Sequence, residues 1–284
     1  MGLKFDYKDG QTPLDEEEKE SLKIKSITTQ GELDEFEQLN IEKAVEWTIR
    51  ANLKLEKILT EKFIKEMLSE DPAVQKRVAK KLKLSGISDA NLFNLIENIL
   101  LEQEPSYGNG VNYNSEHLSW MLRALAFSGQ GRYMPTLETI ARKTGDDKIK
   151  KHAKKSIQLL PKYNKWNKII SNEENWNPDT DINTNRLFNM TSSNNIELLR
   201  LASKKIHSQH LHDAILLDTL EERILERYKN DNNNRISEDS IAWMCRALAG
   251  SSDEKYKATI LLVSTSAKNN YIRSKASEYL KYFN

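Results

Sequence analysis

The sequence predicts an all-α protein in which a helical leader is followed by two copies of a helical-repeat unit. The first observation is a phrase that occurs twice: residues 120–126 and 243–249 match at six of seven positions, 123 residues apart. The second is the scarcity of helix breakers, with 10 Gly and 6 Pro in 284 residues. The third is the helical spacing of apolar residues along several segments. Internal repetition of this kind is typical of stacked helical arrays, which bind other molecules more often than they transform them.

The charge of the chain is unevenly distributed. The formal net charge is +1, but residues 1–70 carry 11 basic and 17 acidic side chains, whereas residues 71–284 carry 32 and 25. An acidic segment ahead of a basic one indicates either that the first docks on the second or that the two have separate origins.

The single cysteine and the hydropathy narrow the class of protein. Cys245 alone cannot form an intramolecular disulfide framework or a cysteine-rich zinc site, and its place in the repeated apolar phrase predicts a buried side chain. The N-terminus lacks the apolar stretch of a signal peptide. Because no run of about 18 apolar residues occurs, we expect no membrane span. These features favour a cytoplasmic protein that does not contact a membrane.

The leader is predicted to cover residues 1–68. Residues 1–20 are polar and rich in turn-forming residues, and a helical pattern begins at Gly31. Ile41, Val45 and Ile49 then share one helix face. Thr60 is a plausible N-cap for a second helix.

The two repeat units are predicted at 69–160 and 192–284, with a linker at 161–191 that has room for one helix. Asp71-Pro72 is a good helix start, because an acid caps the helix and Pro occupies its first position. The linker contains Pro161 and Pro178 and has no clean periodicity. Further helices are predicted at 89–103, 115–127, 133–143, 147–160, 213–228, 237–249, 256–267 and 270–282.

Both repeat units resemble a known type of helical repeat. The residues that carry the resemblance are Thr136-Leu137, Ile140-Ala141, Asp147-Lys148-Ile149 and Ala153. Over 69–160 and 192–283 this pattern resembles HEAT-like repeats. The resemblance implies a duplicated HEAT-like α-solenoid, in which stacked helical hairpins share one core, and it implies no particular activity.

A second resemblance lies in the leader. Over about 10–66 it is similar to the N-terminal segment of small bacterial Fic-domain proteins, on the residues Gly10-Gln11-Thr12-Pro13-Leu14-Asp15, Ile27-Thr28-Thr29-Gln30-Gly31-Glu32-Leu33, Glu37-Gln38-Leu39-Asn40-Ile41, Ala44, Trp47 and Leu59-Thr60-Glu61-Lys62-Phe63-Ile64. The resemblance implies a bacterial family of AMP transferases. Their His-Pro-Phe-x-Asp/Glu-Gly-Asn-Gly-Arg signature is absent, since Gly108-Asn109-Gly110 is followed by Val111 and preceded by no His. We therefore carry over no catalytic residue and predict that the chain is not an enzyme.

Two pairs of residues are candidates for contacts with a partner. Arg123 and Arg246 lie within the repeated apolar phrase, where an arginine needs a carboxylate or an exposed position. They form either ion pairs, for example with Glu116 and Asp239 or with an adjacent helix, or a surface that recognises a partner. Tyr133 and Tyr256 also recur at the 123-residue spacing and are predicted to contact the partner. The tryptophans of the phrase, at positions 120 and 243, are predicted to be core residues.

Histidines and lysines provide two further candidate sites. His207, His210 and His212 have the composition of a metal site, but 207 and 210 share a helix face that 212 does not, so no metal or other cofactor is predicted. Basic stretches occur at 75–83, 148–155 and 203–205. They are either solvated helix faces or, if they align, contacts to a phosphate backbone, as in some HEAT-like DNA glycosylases. The candidate phosphate contacts are Lys76, Arg77, Lys80, Lys150, Lys151 and Lys154.

These observations predict a non-catalytic scaffold for protein–protein interaction in a bacterial cytoplasm. The first alternative is a HEAT-like protein that binds nucleic acid through its lysine-rich helices. The second is a regulator or remnant of a Fic-type AMP transferase.

Overall fold

A computed structural model describes residues 30–103, 114–177, 180–229 and 234–283, and every regular element within these ranges is helical. The predicted all-α class is therefore confirmed for them. The first six helices are α1 (Gln30–Met67), α2 (Pro72–Lys81), α3 (Ala90–Gln103), α4 (Ser115–Phe127), α5 (Met134–Lys143) and α6 (Asp147–Ile170). The next six are α7 (Ile182–Ser192), α8 (Ile196–Ser208), α9 (Ala214–Arg227), α10 (Arg235–Ala249), α11 (Lys257–Ser266) and α12 (Asn270–Tyr279). None of these helices is long and apolar enough to cross a membrane.

The chain divides into two compact parts after Arg50, within α1. In the first part, the described residues 30–50 form a helix that carries an ion pair between Arg50 and Glu46, with 2.6 Å between Nη2 and Oε1. The second part, residues 51–284, is called the main body below. Phe63 and Met67 are buried in its core, so the end of the predicted leader belongs to the main body. The remaining leader residues that carry the Fic resemblance, up to residue 29, lie outside the described residues, as does Gly108-Asn109-Gly110.

Local sequence signals explain where the helices of the main body begin. Asp71 caps α2 through its carboxylate, which accepts a hydrogen bond from the Ala73 N–H at 2.8 Å, and Pro72 occupies the first helical position, as predicted. An Asn or Asp side-chain oxygen caps six other helices in the same way, at Asn114, Asp146, Asp181, Asn195, Asn234 and Asn269. Each cap satisfies backbone N–H groups that the helix itself leaves without partners.

The helices of the main body pack in two similar groups. α4 packs between α2 and α6, and α10 packs between α8 and α12. Two of the helix pairs have equal lengths: α3 and α9 have 14 residues each, and α5 and α11 have 10 each. The repeated phrase lies in α4 and α10, where its small residues Ala124 and Ala247 are buried and allow close helix contact. Cys245 is fully buried, as predicted, and burial raises the pKa of its thiol to about 12.

The segment 161–191, predicted to be a linker, contains more helix than the sequence predicts. Residues 161–170 continue α6 through Pro161, and 182–192 form α7, which packs against α8 and α9. A proline inside a helix costs about 3 kcal/mol, but this half of α6 buries Tyr163, Trp166 and Ile170. Burial of three large apolar side chains outweighs the proline, so the helix continues.

Candidate functional site

An open cavity of about 980 Å³ lies on the main body, where α1, α2, α7, α8 and α10 meet. We call it the basic groove. Its cationic lining residues are Lys76, Arg77, Lys80, Lys81, Lys83, Arg186, Lys204, Lys205 and Arg246. The lining also includes Phe63, Leu84, Ser85, His207 and Trp243.

The first edge of the groove is α2 with the turn that follows it. Val78, Ala79 and Leu82 are buried, which fixes the rotation of the helix. Lys76, Lys80 and Lys83, spaced by four and three residues, therefore share another face and line the groove. Two of the sequence-predicted phosphate contacts, Lys76 and Lys80, lie on this face, and Arg77 lines the groove beside them.

The second edge is α8, which buries Leu198, Leu199 and Ala202. Its half-buried polar face carries Arg200, Lys204 and His207 at the same spacing of four and three residues. Each of these positions lies 124 residues after a lysine of the first edge, which is one residue more than the spacing of the repeated phrase. Lys204 and His207 line the groove, so the two edges present similar rows of basic side chains.

The groove carries more positive charge than the carboxylates beside it can neutralise. Nine lining residues are Lys or Arg, and no lining residue that the structure describes is Asp or Glu. Three of the nine form salt bridges to carboxylates beside the groove: Lys76 with Glu116 at 3.4 Å, Arg186 with Glu56 at 2.7 Å and Lys204 with Asp239 at 3.8 Å. The other six form none with a described residue: Arg77, Lys80, Lys81, Lys83, Lys205 and Arg246. Such a concentration of one sign of charge attracts anions.

Each tryptophan of the repeated phrase contacts two cations. The Lys80 Nζ and the Arg123 Cζ lie 5.3 and 4.7 Å from the centroid of a Trp120 ring. The corresponding distances for Lys204 and Arg246 at Trp243 are 4.7 and 5.0 Å. These are cation–π contacts, which hold the basic side chains in place without neutralising them.

Arg123 and Arg246 do not form the predicted ion pairs with Glu116 and Asp239. Glu116 pairs with Lys76, and Asp239 pairs with Arg200 and Lys204. Arg123 instead lies 3.2 Å, Nη2 to Nδ1, from His152. The two carboxylates do form salt bridges, but with basic residues of the neighbouring helices α2 and α8. Arg246 is therefore left to line the groove, whereas Arg123 does not line it.

Tyr133 and Tyr256, predicted to contact a partner, are core residues. Each side chain is 1 % exposed. Their hydroxyls donate hydrogen bonds to the side chains of Asn94 at 2.9 Å and Asp218 at 2.7 Å. Their recurrence at a fixed spacing thus reflects a repeated packing contact between adjacent helices, and neither can touch a partner without unfolding of its surroundings.

The structure unites the first and third basic stretches and leaves out the second. Lys150, Lys151 and Lys154 lie on α6 and do not line the groove, although sequence reasoning grouped them with the α2 lysines. Conversely, Arg186 was missed because it lies in the segment interpreted as a linker. Leu187 and Met190 are apolar and three residues apart, a spacing that places them on one helix face. This is the signal that could have revealed a helix there.

Two further findings complete the description of the site. Among the described residues, no three or more His, Cys, Asp or Glu side chains converge where a metal ion could be held. Comparisons of the chain with models of known protein families, with curated proteins and with solved structures find no match. The HEAT-like and Fic-like resemblances therefore stay predictions.

Proposed function

We propose that the chain binds nucleic acid in the basic groove and acts by binding rather than by catalysis. The observation that carries the proposal is the set of nine Lys and Arg side chains in one groove, with no carboxylate among the described residues that line it. A nucleic acid is the macromolecule whose regular backbone charge such a surface matches. The proposal favours the first alternative from the sequence over the protein scaffold.

We further propose that two copies of one HEAT-like module build the groove. Three observations support this: the equal lengths of two of the helix pairs, α3 with α9 and α5 with α11, the matched basic rows of α2 and α8, and the cation-bearing tryptophans of α4 and α10. A duplicated module would place equivalent basic edges on both copies, so that a groove between α2 and α8 receives positive charge from both sides.

The first prediction concerns salt. If the six cations without salt bridges each contact a phosphate, affinity for a labelled DNA duplex of about 20 base pairs falls roughly 1,000-fold between 50 and 200 mM salt. The loss arises because each contact releases a counterion from the nucleic acid. Fluorescence anisotropy over this range measures the slope. Absence of binding at about 50 mM salt contradicts the proposed function.

An acidic protein is the competing occupant, because it too carries negative charge. A poly-glutamate peptide with the same total charge as the DNA is the matched comparison. Duplex DNA carries one charge per about 1.7 Å of its axis, whereas an extended peptide carries at most one per about 3.3 Å. We expect DNA to bind more tightly. Equal or tighter binding of the peptide favours the scaffold function.

The second prediction concerns pH. His207 lines the groove beside Trp243, with 6.1 Å between ring centroids. Burial, followed by the positive charges of Arg246 and His210, lowers the pKa of His207 from its ordinary value of 6.5. A bound phosphate offsets this repulsion and raises the pKa, so the complex takes up a proton that the free protein does not hold.

Affinity for DNA is therefore expected to rise as the pH falls from 8 through the pKa of the complex, and to level off below the lowered pKa of the free protein. An increase of up to about tenfold corresponds to a pKa difference of one unit. His207→Gln should remove the increase, whereas His212→Gln should keep it because His212 is exposed and does not line the groove. Identical pH profiles of the two variants contradict this role for His207.

A further inference from the structure

Arg186 differs from the other cations of the groove because it is buried. Its residue exposure is 5 %, and its Nη2 donates to Glu56 at 2.7 Å. Its Nε is buried and has no hydrogen-bond partner among the described residues. A buried guanidinium with an unsatisfied donor is costly unless a ligand or a second carboxylate compensates it. The groove is where such a ligand can approach.

Lys205 is a second cation of the groove that Arg186 acts on electrostatically. It lines the same groove, and its ammonium makes no salt bridge or hydrogen bond to a described residue. Burial, and next the charge of Arg186, lower the pKa of Lys205. Asp181 acts against this shift. Its carboxylate is already occupied as the cap of α7, where it accepts hydrogen bonds from Asn183, Thr184 and the Thr184 hydroxyl.

The turn after α2 packs closely beside Arg186. Gly86 has a left-handed backbone with φ +70°, and a Cβ added there would lie 3.3 Å from the Arg186 Nε and 2.3 Å from the Ser171 Oγ. The Ser171 hydroxyl donates to the Gly86 carbonyl at 3.0 Å and holds the turn in place. Only glycine fits here, because an added Cβ would overlap the Ser171 hydroxyl and the left-handed backbone disfavours other residues.

We propose that Arg186 and Lys205 form a phosphate-binding subsite in the floor of the basic groove. This inference rests on the proposed function in so far as the phosphate belongs to a nucleic acid, but the chemistry is the same for free inorganic phosphate. Glu56 forms a salt bridge with Arg186, whereas Asp181 acts on Lys205 without a salt bridge. One phosphate group would give both cations a directly bound anionic partner and accept hydrogen bonds from both side chains.

The test compares two lysines of the same groove. Lys205→Gln removes the subsite cation, and Lys81→Gln removes an exposed cation that lies 5.8 Å from the Phe63 ring centroid. The full chain is heated with sodium phosphate or with sodium chloride of equal ionic strength. The affinity of each variant for duplex DNA is measured in parallel. We prefer Lys205→Gln to an Arg186 variant, because loss of Arg186 leaves Glu56 without its partner and endangers folding.

We expect phosphate to raise the melting temperature of the wild type and of Lys81→Gln, and not that of Lys205→Gln. We also expect Lys205→Gln to weaken DNA binding about tenfold, against about threefold for Lys81→Gln. A selective effect of Lys205→Gln in either assay supports the subsite. Equal behaviour of the two variants in both assays overturns it. A phosphate effect confined to proteins with Lys205, together with no DNA binding, keeps the subsite and refutes the proposed function.

Discussion

Reversing the charge of Lys80 and Lys83 together is expected to weaken DNA binding about 100-fold or more. Both side chains are exposed, line the groove and form no salt bridge with a described residue. Each substitution to Glu removes a phosphate contact and places a negative charge beside the DNA backbone. A loss of about 1.4 kcal/mol at each position gives the factor of 100. Anisotropy with a labelled duplex at constant salt measures the change.

The matched control is the double substitution Lys151→Glu and Lys154→Glu. Both lysines are exposed on α6 and outside the groove, and the change in net charge is the same. We expect an effect of about threefold or less, since exposed charges farther apart than about 10 Å are largely screened at 0.1 M salt. Circular dichroism checks that both proteins are folded. A similar loss of affinity in the two double variants would show that net charge, and not the groove, determines binding.

The two double variants also mark how far sequence reasoning reaches at this site. Spacing along one helix identifies Lys76 and Lys80, because a helical repeat places them on the same face. It cannot decide between α8 and α6 as the neighbour of that face, since this depends on how separate helices pack. Sequence reasoning therefore grouped the α2 lysines with Lys150, Lys151 and Lys154, whereas packing brings Lys204 and Lys205 into the groove.

The fold shows the same division between local and long-range information. Asp71-Pro72 is a local signal for the start of a helix, and α2 begins there as predicted. The region after Pro161 reads as a linker because it is rich in Asn, Lys and Pro. Two of those asparagines have a structural role that depends on another helix: the Asn164 amide donates to the Gly129 carbonyl, and the Asn167 amide donates to the Phe127 carbonyl. They satisfy carbonyls at the end of α4, which no pattern along α6 reveals.

The packing of α6 against the turn after α4 leads to the prediction with the largest expected effect on stability. Gly129, just after α4, is buried with φ +67°, and a Cβ added there would lie 2.7 Å from the Asn164 backbone nitrogen and 2.8 Å from the Tyr163 carbonyl carbon. Gly129→Ala is expected to lower the free energy of unfolding by about 3 kcal/mol, from the left-handed backbone and the steric overlap together. Because backbone atoms cause the overlap, no side-chain rotation relieves it. Urea denaturation should show a midpoint lower by about 1 M.

Gly131→Ala, two residues further on, is the control that isolates the cause. A Cβ added at Gly131 meets no heavy atom within 4 Å, and its backbone is not left-handed. We expect its midpoint to stay the same or to rise slightly, since alanine reduces the entropy of the unfolded chain. If the two variants unfold at the same urea concentration, α6 does not pack on the turn after α4 and the segment behind Pro161 behaves as a linker after all. If only Gly129→Ala is destabilised, the close approach of α6 to that turn holds the two helices together in solution.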